Sequence, residues 1–323
     1  MKKIIKIISS VSRKVLKTDI KPFDRISNPD EISKLIIGHL NSEEPCMIAR
    51  YGATELFCLA NYKGVKKGRP NIIRYLLGLE QDWWWNPQCL SQIEQWSGFF
   101  PATPENMMKF GKLMEDSSKE VDILASWLNN EPLFKDELHN AIKVMFLFID
   151  PFWSKTPWTS ALKGKKVLVI HPFANQIEMQ YKNSRTKLFK DPDVLPLFEL
   201  HTIKAVQSLG GDDNGFKDWF EALAWMESEM DKIDYDIALI GCGAYGFPLA
   251  AHAKKSGKKA VHIGGSLQLL FGIIGRRWEN PDYGIEELGV KGCYPALVNE
   301  FWIRPGEEGK AKNSDKVENA CYW

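Results

Sequence analysis

The sequence predicts a doubly wound α/β fold, a mostly parallel sheet between two layers of helices, with a helical N-terminal region. Two observations carry the prediction. The first is the stretch Asp236 to Gly265, DIALIGCGAYGFPLAAHAKKSGKKAVHIGG, which reads as strand, glycine turn, helix and parallel strand. Ile237 to Ile240 is the continuous apolar run of a strand buried on both faces. Gly241, Gly243 and Gly246 follow at G-x-G-x-x-G spacing, Pro248 suits a first helical turn, and Gly257 is a natural stop. Ala260 to Ile263 is the second apolar run. The other observation is the order strand, helix, strand, helix, strand across residues 165 to 263.

The remaining elements follow in order. Residues 1 to 17 alternate basic and aliphatic side chains, with Ile4, Ile8, Val11 and Val15 able to share one helix face. The apolar stretch is interrupted too often for a signal peptide or a spanning helix. A basic amphipathic helix of this kind can lie on an anionic membrane, pack on the body or fray. Asn28 caps a helix over Pro29 to Leu40. Cys46 to Ala49 is a short apolar run that ends in Arg50-Tyr51-Gly52-Ala53-Thr54-Glu55, after which Leu56, Leu59 and Ala60 resume a helical pattern. Arg50 can reach a phosphate with a fork of donors, Gly52 permits close backbone approach, and Glu55 can accept ligand hydroxyls or a metal. An Arg50–Glu55 structural pair is the simpler alternative.

Residues 72 to 100 carry helical segments with Trp83, Trp84 and Trp85 in a row, which cannot all face one way. Pro104 to Ser118 reads as a helix and Val121 to Trp127 as a strand or buried turn. A further helix is expected from Pro132 into Phe146–Ile149, ended by Asp150-Pro151. Val167 to Ile170 is a buried strand, and His171-Pro172-Phe173 is the loop at its C-terminal end. The helix after it carries Ile177, Glu178, Gln180 and Tyr181. Ligands of open parallel sheets bind at such strand ends, which singles out His171 and Glu178. Leu197 to Val206 is strand-like. Asp213-Asn214-Gly215 is read as the cap of an amphipathic helix with Phe216, Trp219, Phe220, Leu223 and Met230 inward. Beyond Gly264 and Gly265, the pair Arg276-Arg277 could clamp a pyrophosphate or end a solvated helix.

In domain terms, residues 1–40 form basic amphipathic N-terminal helices, residues 41–305 a single α/β domain with a helical insertion at about 70–160, and residues 306–323 a tail. Lys plus Arg (42) nearly cancels Asp plus Glu (41), so no global field draws the chain to nucleic acid. The six cysteines form no C-x-x-C pair, which argues against a zinc site and fits a reducing compartment. Twelve tryptophans offer flat faces to sugar rings and bases as well as to a core. The glycine turn alone would admit a nicotinamide cofactor. Its fingerprint also wants an acidic residue roughly 20 positions on, where this chain has His262, Ile263 and Gly264.

Several of these pieces together resemble one family. Arg50-x-Gly52-x-x-Glu55 resembles the R-x-G-D-x-E signature of bacterial GT-D type glycosyltransferases. The H-P-F at 171, F-E-L at 198–200, K-A-V-Q at 204–207, G-x-G-A-Y-G at 241–246, G-G at 264–265 and closing C-Y-W resemble the branch found among bacterial polysaccharide genes. The resemblance covers roughly residues 40 to 323. It implies a Rossmann-like catalytic domain that moves a sugar from a UDP- or GDP-linked donor to a glycan or lipid-linked acceptor. It also implies a cytoplasmic protein, peripheral on the inner face of the membrane if residues 1–17 dock there. The family holds a divalent metal, Mn or Mg, through a D-x-E carboxylate pair. Carried onto this chain those positions are Ala53, Thr54 and Glu55, so the aspartate is missing and Glu55 is the one metal candidate. Arg50, Gly52, Thr54, Gly241, Gly243, Tyr245, Gly246, Gly264 and Gly265 are then expected around the nucleotide, with Glu55, Glu178 and His171 as catalytic candidates. A non-catalytic glycan- or nucleotide-binding protein and an NAD(P)-dependent oxidoreductase are the alternatives.

Overall fold

Strands with two apolar faces need a layer on each side, and the central strands here have both. In β1 (Cys46–Ala49), Cys46 and Ile48 enter one core while Met47 and Ala49 enter the other. The same alternation divides β4 (Lys166–His171), with Val167 and Val169 on one side and Leu168 and Ile170 on the other. The structure, a computed structural model, describes residues 20, 22–208, 214–306 and 322–323. The basic segment 1–17, Asp213 of the expected cap, Cys321 and most of the 306–323 tail lie outside the described residues.

Seven strands form one sheet in the order β3-β2-β1-β7-β6-β4-β5. These are β1, β2 (Ile123–Ser126), β3 (Ile142–Met145), β4, β5 (Glu199–Lys204), β6 (Ile237–Ile240) and β7 (Lys259–His262). Every pairing is parallel. One face is covered by α1 (Pro29–Asn41), through Ile32, Ile36 and Leu40, and by α6 (Ala174–Leu188), through Ile177 and Leu188. The other face is covered by α2 (Ala53–Lys67), α4 (Pro87–Ser97), α5 (Pro104–Ser118), α7 (Trp219–Asp231) and α8 (Gly246–Lys255). The short α3 (Ile72–Leu76) links α2 to α4. Helices on both faces of a parallel sheet make this a doubly wound, Rossmann-like α/β fold. From β4 the chain passes outward through α6 to β5, whereas from the adjacent β6 it passes inward through α8 to β7. That divergence opens a crevice at the C-terminal ends of β4 and β6, where such sheets bind ligands.

The structure corrects three local expectations. The helix expected from Pro132 into Ile149 is a 3₁₀ turn, the edge strand β3 and a second 3₁₀ turn over Phe146–Ile149. The 70–160 region is therefore not wholly helical, because it contains β2 and β3. The cap of α7 is Asp218, whose carboxylate accepts from Glu221 N–H at 2.9 Å, and Phe216 precedes the helix. Trp83, Trp84 and Trp85 are all partly buried. Trp83 stands edge-on to Tyr75 and Trp84, while Tyr75 donates to Asp82 at 2.6 Å and Glu80 pairs with Lys67 and Arg74. Among the described residues no helix is long and apolar enough to cross a membrane.

Candidate functional site

A cavity of about 460 Å³ opens where the sheet's central strands end. Its floor comes from the residues just past those ends: Arg50 after β1, Trp127 after β2, Phe146 after β3, His171 closing β4, Gly241 after β6 and His262 closing β7. Its size is that of a small-ligand site.

Two helix N-termini face it. The first turn of α2 brings Gly52, Ala53, Thr54 and Glu55 to the wall, and Gly52, the N-cap, adds no side-chain cap of its own. The 3₁₀ turn Gly243–Tyr245 leads into α8, with Gly243 at φ 58°, a left-handed conformation that glycine adopts at little cost. Helix starts offer unpaired N–H groups and the positive end of a dipole, which suit an anion.

Arg50 is placed with some precision. Its guanidinium lies against the Cα of Gly264, where a Cβ would collide with it, and Gly264 has φ 68°. One arm donates to the Tyr51 carbonyl at 3.3 Å, and Cζ stands 5.9 Å above the Phe146 ring. Its Nε is buried with no hydrogen-bond partner among the described residues. A buried donor left unpaired costs about 1–3 kcal/mol, so this edge of the guanidinium calls for an acceptor. Gln268 presents the opposite case. Its Nε2 donates to the carbonyls of Ile273 and Tyr322, both at 3.1 Å, which fixes the amide and leaves the buried Oε1 unpartnered in the cavity wall.

The two histidines are neutral and of opposite tautomer. His171 Nδ1 accepts the Phe173 N–H at 3.0 Å, so its proton sits on Nε2. His262 Nδ1 lies 3.1 Å from the Ile240 carbonyl, which can only accept, so its proton sits on Nδ1 and Nε2 keeps a lone pair. Burial pulls both pKa values down to about 3, with the Arg50 charge adding to the effect at His262. Neither is therefore a general base near neutrality. His171 is a donor and His262 an acceptor.

Glu55 lines the cavity and is only 8% exposed. It stands at the third position of α2, and its carboxylate folds back over Gly52, the place taken by the glutamate of a capping box. Among the described residues lining the cavity, no other side chain carries a carboxylate. Among the described residues no group of three or more His, Cys, Asp or Glu could hold a metal ion. Glu55 is thus the one side-chain carboxylate here that could serve the implied Mn or Mg, whose other ligands would be waters and the donor's phosphates.

The remaining candidates divide. Gly265 lines the wall against the Tyr322 ring, and Gly246 lies under the His262 imidazole. Tyr245 lies behind the wall, buried, stacked on Trp219 at 5.0 Å and sharing a 3.0 Å hydrogen bond with Ser208. Glu178 lies outside the site: it is exposed on α6 and accepts from Thr202 Oγ1 at 2.5 Å. Its neighbour Ile177 faces the core, and one residue further round a helix turns the side chain outward. Of the arginine pair, Arg277 lines the cavity, stacks on Tyr322 at 4.7 Å and donates to its hydroxyl at 3.2 Å, whereas Arg276 is exposed.

Sequence reasoning missed Trp127, Phe146, Gln268 and Asp150. Asp150 lies behind the cavity, buried, where it accepts from Tyr294 at 2.7 Å. Burial raises its pKa to about 6 despite the Tyr294 and Ser266 hydrogen bonds and the Arg50 charge. Trp127 and Phe146 carried a usable signal, since each directly follows a strand at the ligand-binding edge. Comparison of the chain with protein-family models, with curated proteins and with solved structures gives no match.

Proposed function

We propose that this chain is a glycosyltransferase that moves a sugar from a nucleotide-sugar donor to a glycan or lipid-linked acceptor in bacterial surface polysaccharide assembly. The observation that carries the reading is the Arg50 guanidinium, held at the strand ends with a buried unpaired Nε, between the starts of α2 and α8. The donor's diphosphate is the anion that arrangement suits.

In the reaction the bond between the anomeric carbon and the diphosphate oxygen breaks, and the acceptor hydroxyl oxygen bonds to that carbon. Negative charge grows on the departing diphosphate, so Arg50, Arg277 and the helix-start N–H groups stabilise the transition state more than the ground state. The acceptor's proton goes to Glu55, the carboxylate of the cavity. His171 donates from Nε2 to a ligand oxygen, and His262 and Gln268 Oε1 accept from sugar or ribose hydroxyls. No step is assigned to a metal.

The test is a binding and turnover panel of UDP- and GDP-sugars, with and without manganese, with NAD and NADP alongside. Arg50→Gln is expected to abolish donor binding. Glu55→Gln keeps the shape over Gly52 and is expected to bind donor but lose turnover at least about a hundredfold. Binding without turnover in the wild type would favour a glycan- or nucleotide-binding role, and protection by NAD or NADP alone would favour a dehydrogenase. Absence of any nucleotide-sugar effect in the wild type refutes the transferase reading.

A further inference from the structure

The half of the cavity beyond Phe146 carries a second kind of surface. Trp127 stacks on Phe146 with ring centres 5.0 Å apart and planes 21° from parallel, and it remains 38% exposed at the cavity. Its indole is not free to turn away: Nε1 donates to the Tyr51 carbonyl at 3.1 Å. The loop beneath it is fixed by Glu131, a carboxylate with no exposed surface. Glu131 accepts from Ser126 Oγ, from Trp127 N–H at 3.1 Å and from Leu128 N–H at 3.2 Å. A buried carboxylate is costly, and here its bonds go to the backbone that aims one tryptophan.

We infer that Trp127 is the platform on which the nucleobase of a nucleoside diphosphate stacks, with the phosphates reaching Arg50. The two are neighbours: both pack against the Phe146 ring, and Trp127 Nε1 and an Arg50 terminal nitrogen donate to one and the same carbonyl, that of Tyr51. A base stacked on Trp127 therefore carries its phosphates toward Arg50, and the titrations below separate this from a sugar stacked on the same face. Stacking on an indole face tolerates any base, so the platform supplies affinity for the nucleoside half of the ligand rather than a choice among bases.

This inference rests on reading the cavity as a donor site, and it can fail separately from the transfer chemistry. The experiment is calorimetric titration of wild type, Trp127→Ala and Trp127→Phe with UDP, GDP, ADP and inorganic pyrophosphate. Wild type is expected to bind at least one nucleoside diphosphate more tightly than pyrophosphate. Trp127→Ala is expected to lose about tenfold or more for that nucleoside diphosphate, to keep its pyrophosphate affinity, and to be largely restored in Trp127→Phe. If the alanine variant does not fold, Trp127→Leu, which retains bulk against Phe146, takes its place. The inference is overturned by unchanged nucleotide affinity, by equal loss for nucleotide and pyrophosphate, by no nucleotide binding in the wild type, or by a Trp127-dependent response to a simple glycoside instead. Absence of sugar turnover with the expected binding pattern would refute the transferase reading and leave this one standing.

Discussion

The buried histidines each weaken the fold as the pH falls. His171 and His262 each ionise near 6.5 when unfolded and near 3 when folded. A depressed folded pKa means that the stabilising effect is complete above about pH 6.5 and is lost progressively as the pH falls toward 3, because the unfolded chain takes up the proton first. Between about pH 7.5 and 5.5 each histidine then removes about 1.4 kcal/mol of stability, about 2.7 for the pair. Asp150 works the other way, with its pKa raised from 3.8 to about 6 on folding. The folded state takes up that proton first, which returns about 0.8 kcal/mol over the same interval. Asp116, held low at about 2 by Lys112 and Lys119, titrates outside the window. The histidines win, and these three groups together give a net loss of about 2 kcal/mol.

The assay is urea unfolding of the ligand-free protein at both pH values and constant ionic strength, for wild type, His171→Asn and His262→Asn. Asparagine can place an acceptor or a donor where each Nδ1 stands, so the bonds to Phe173 N–H and the Ile240 carbonyl can persist. Each variant loses packing at every pH, and that offset cancels in the difference between the two conditions. Each is expected to lose about 1.4 kcal/mol less than wild type between the two pH values. A variant whose stability falls with pH in parallel with wild type would refute the assignment of that histidine as buried and neutral.

Three further outcomes are expected. Gly264→Ala places a side chain at φ 68° and pushes a Cβ into the Arg50 guanidinium. Denaturant titration should show a loss of at least about 1–2 kcal/mol, and donor titration a weakened affinity, whereas full affinity would show that Arg50 does not bind the ligand. Asp150→Asn mimics the protonated acid that burial favours, so stability at about pH 7.5 should rise by up to about 3 kcal/mol. A fall would mean that the charge attraction to Arg50 outweighs desolvation. Glu178→Ala should leave turnover unchanged and alter stability by no more than about 1 kcal/mol, and lost activity would contradict its placement outside the cavity.

What was legible in the sequence was whatever had a local signature. The βαβ unit at residues 236–265 combined continuous apolar runs with glycines at a turn, and β4 was bracketed by a Gly-Lys-Lys turn and His171-Pro172. The edge strand β3 was not legible. Its Ile142 is exposed and Val144 buried, four residues give too short an alternation to count, and the apolar Phe146–Ile149 behind it mimics a helix face. Arg50 and His171, which line the cavity, are conspicuous in the sequence because each is a charged or polar residue at a buried strand's end. Glu178 was misplaced because a residue one step from a core position can be assigned to a face only when the rest of the helix is known. Gln268 and Asp150 gave no local signal, since their meaning lies in partners far along the chain: Tyr322 for one, Tyr294 for the other.

The division of charge across the cavity bears on where the chemistry is decided. On the family resemblance alone, Ala53 stands where an aspartate is expected, and the weight would fall on Glu55 as a metal ligand lacking its partner. With the carboxylate folded over Gly52 and no second acidic side chain among the described lining residues, a cation held there would depend on a single side-chain charge. The cationic side offers more. Arg50 is locked by Gly264, Tyr51 and Phe146, and Arg277 is stacked on Tyr322, while both histidines stay neutral and keep the remaining wall uncharged. In a low-dielectric cavity an anion is stabilised most by charges that need not reorganise when it arrives. Arg50 meets that condition and Glu55 cannot, so in the proposed reaction ligand choice would turn on the arginine, and the glutamate would be left to move the proton.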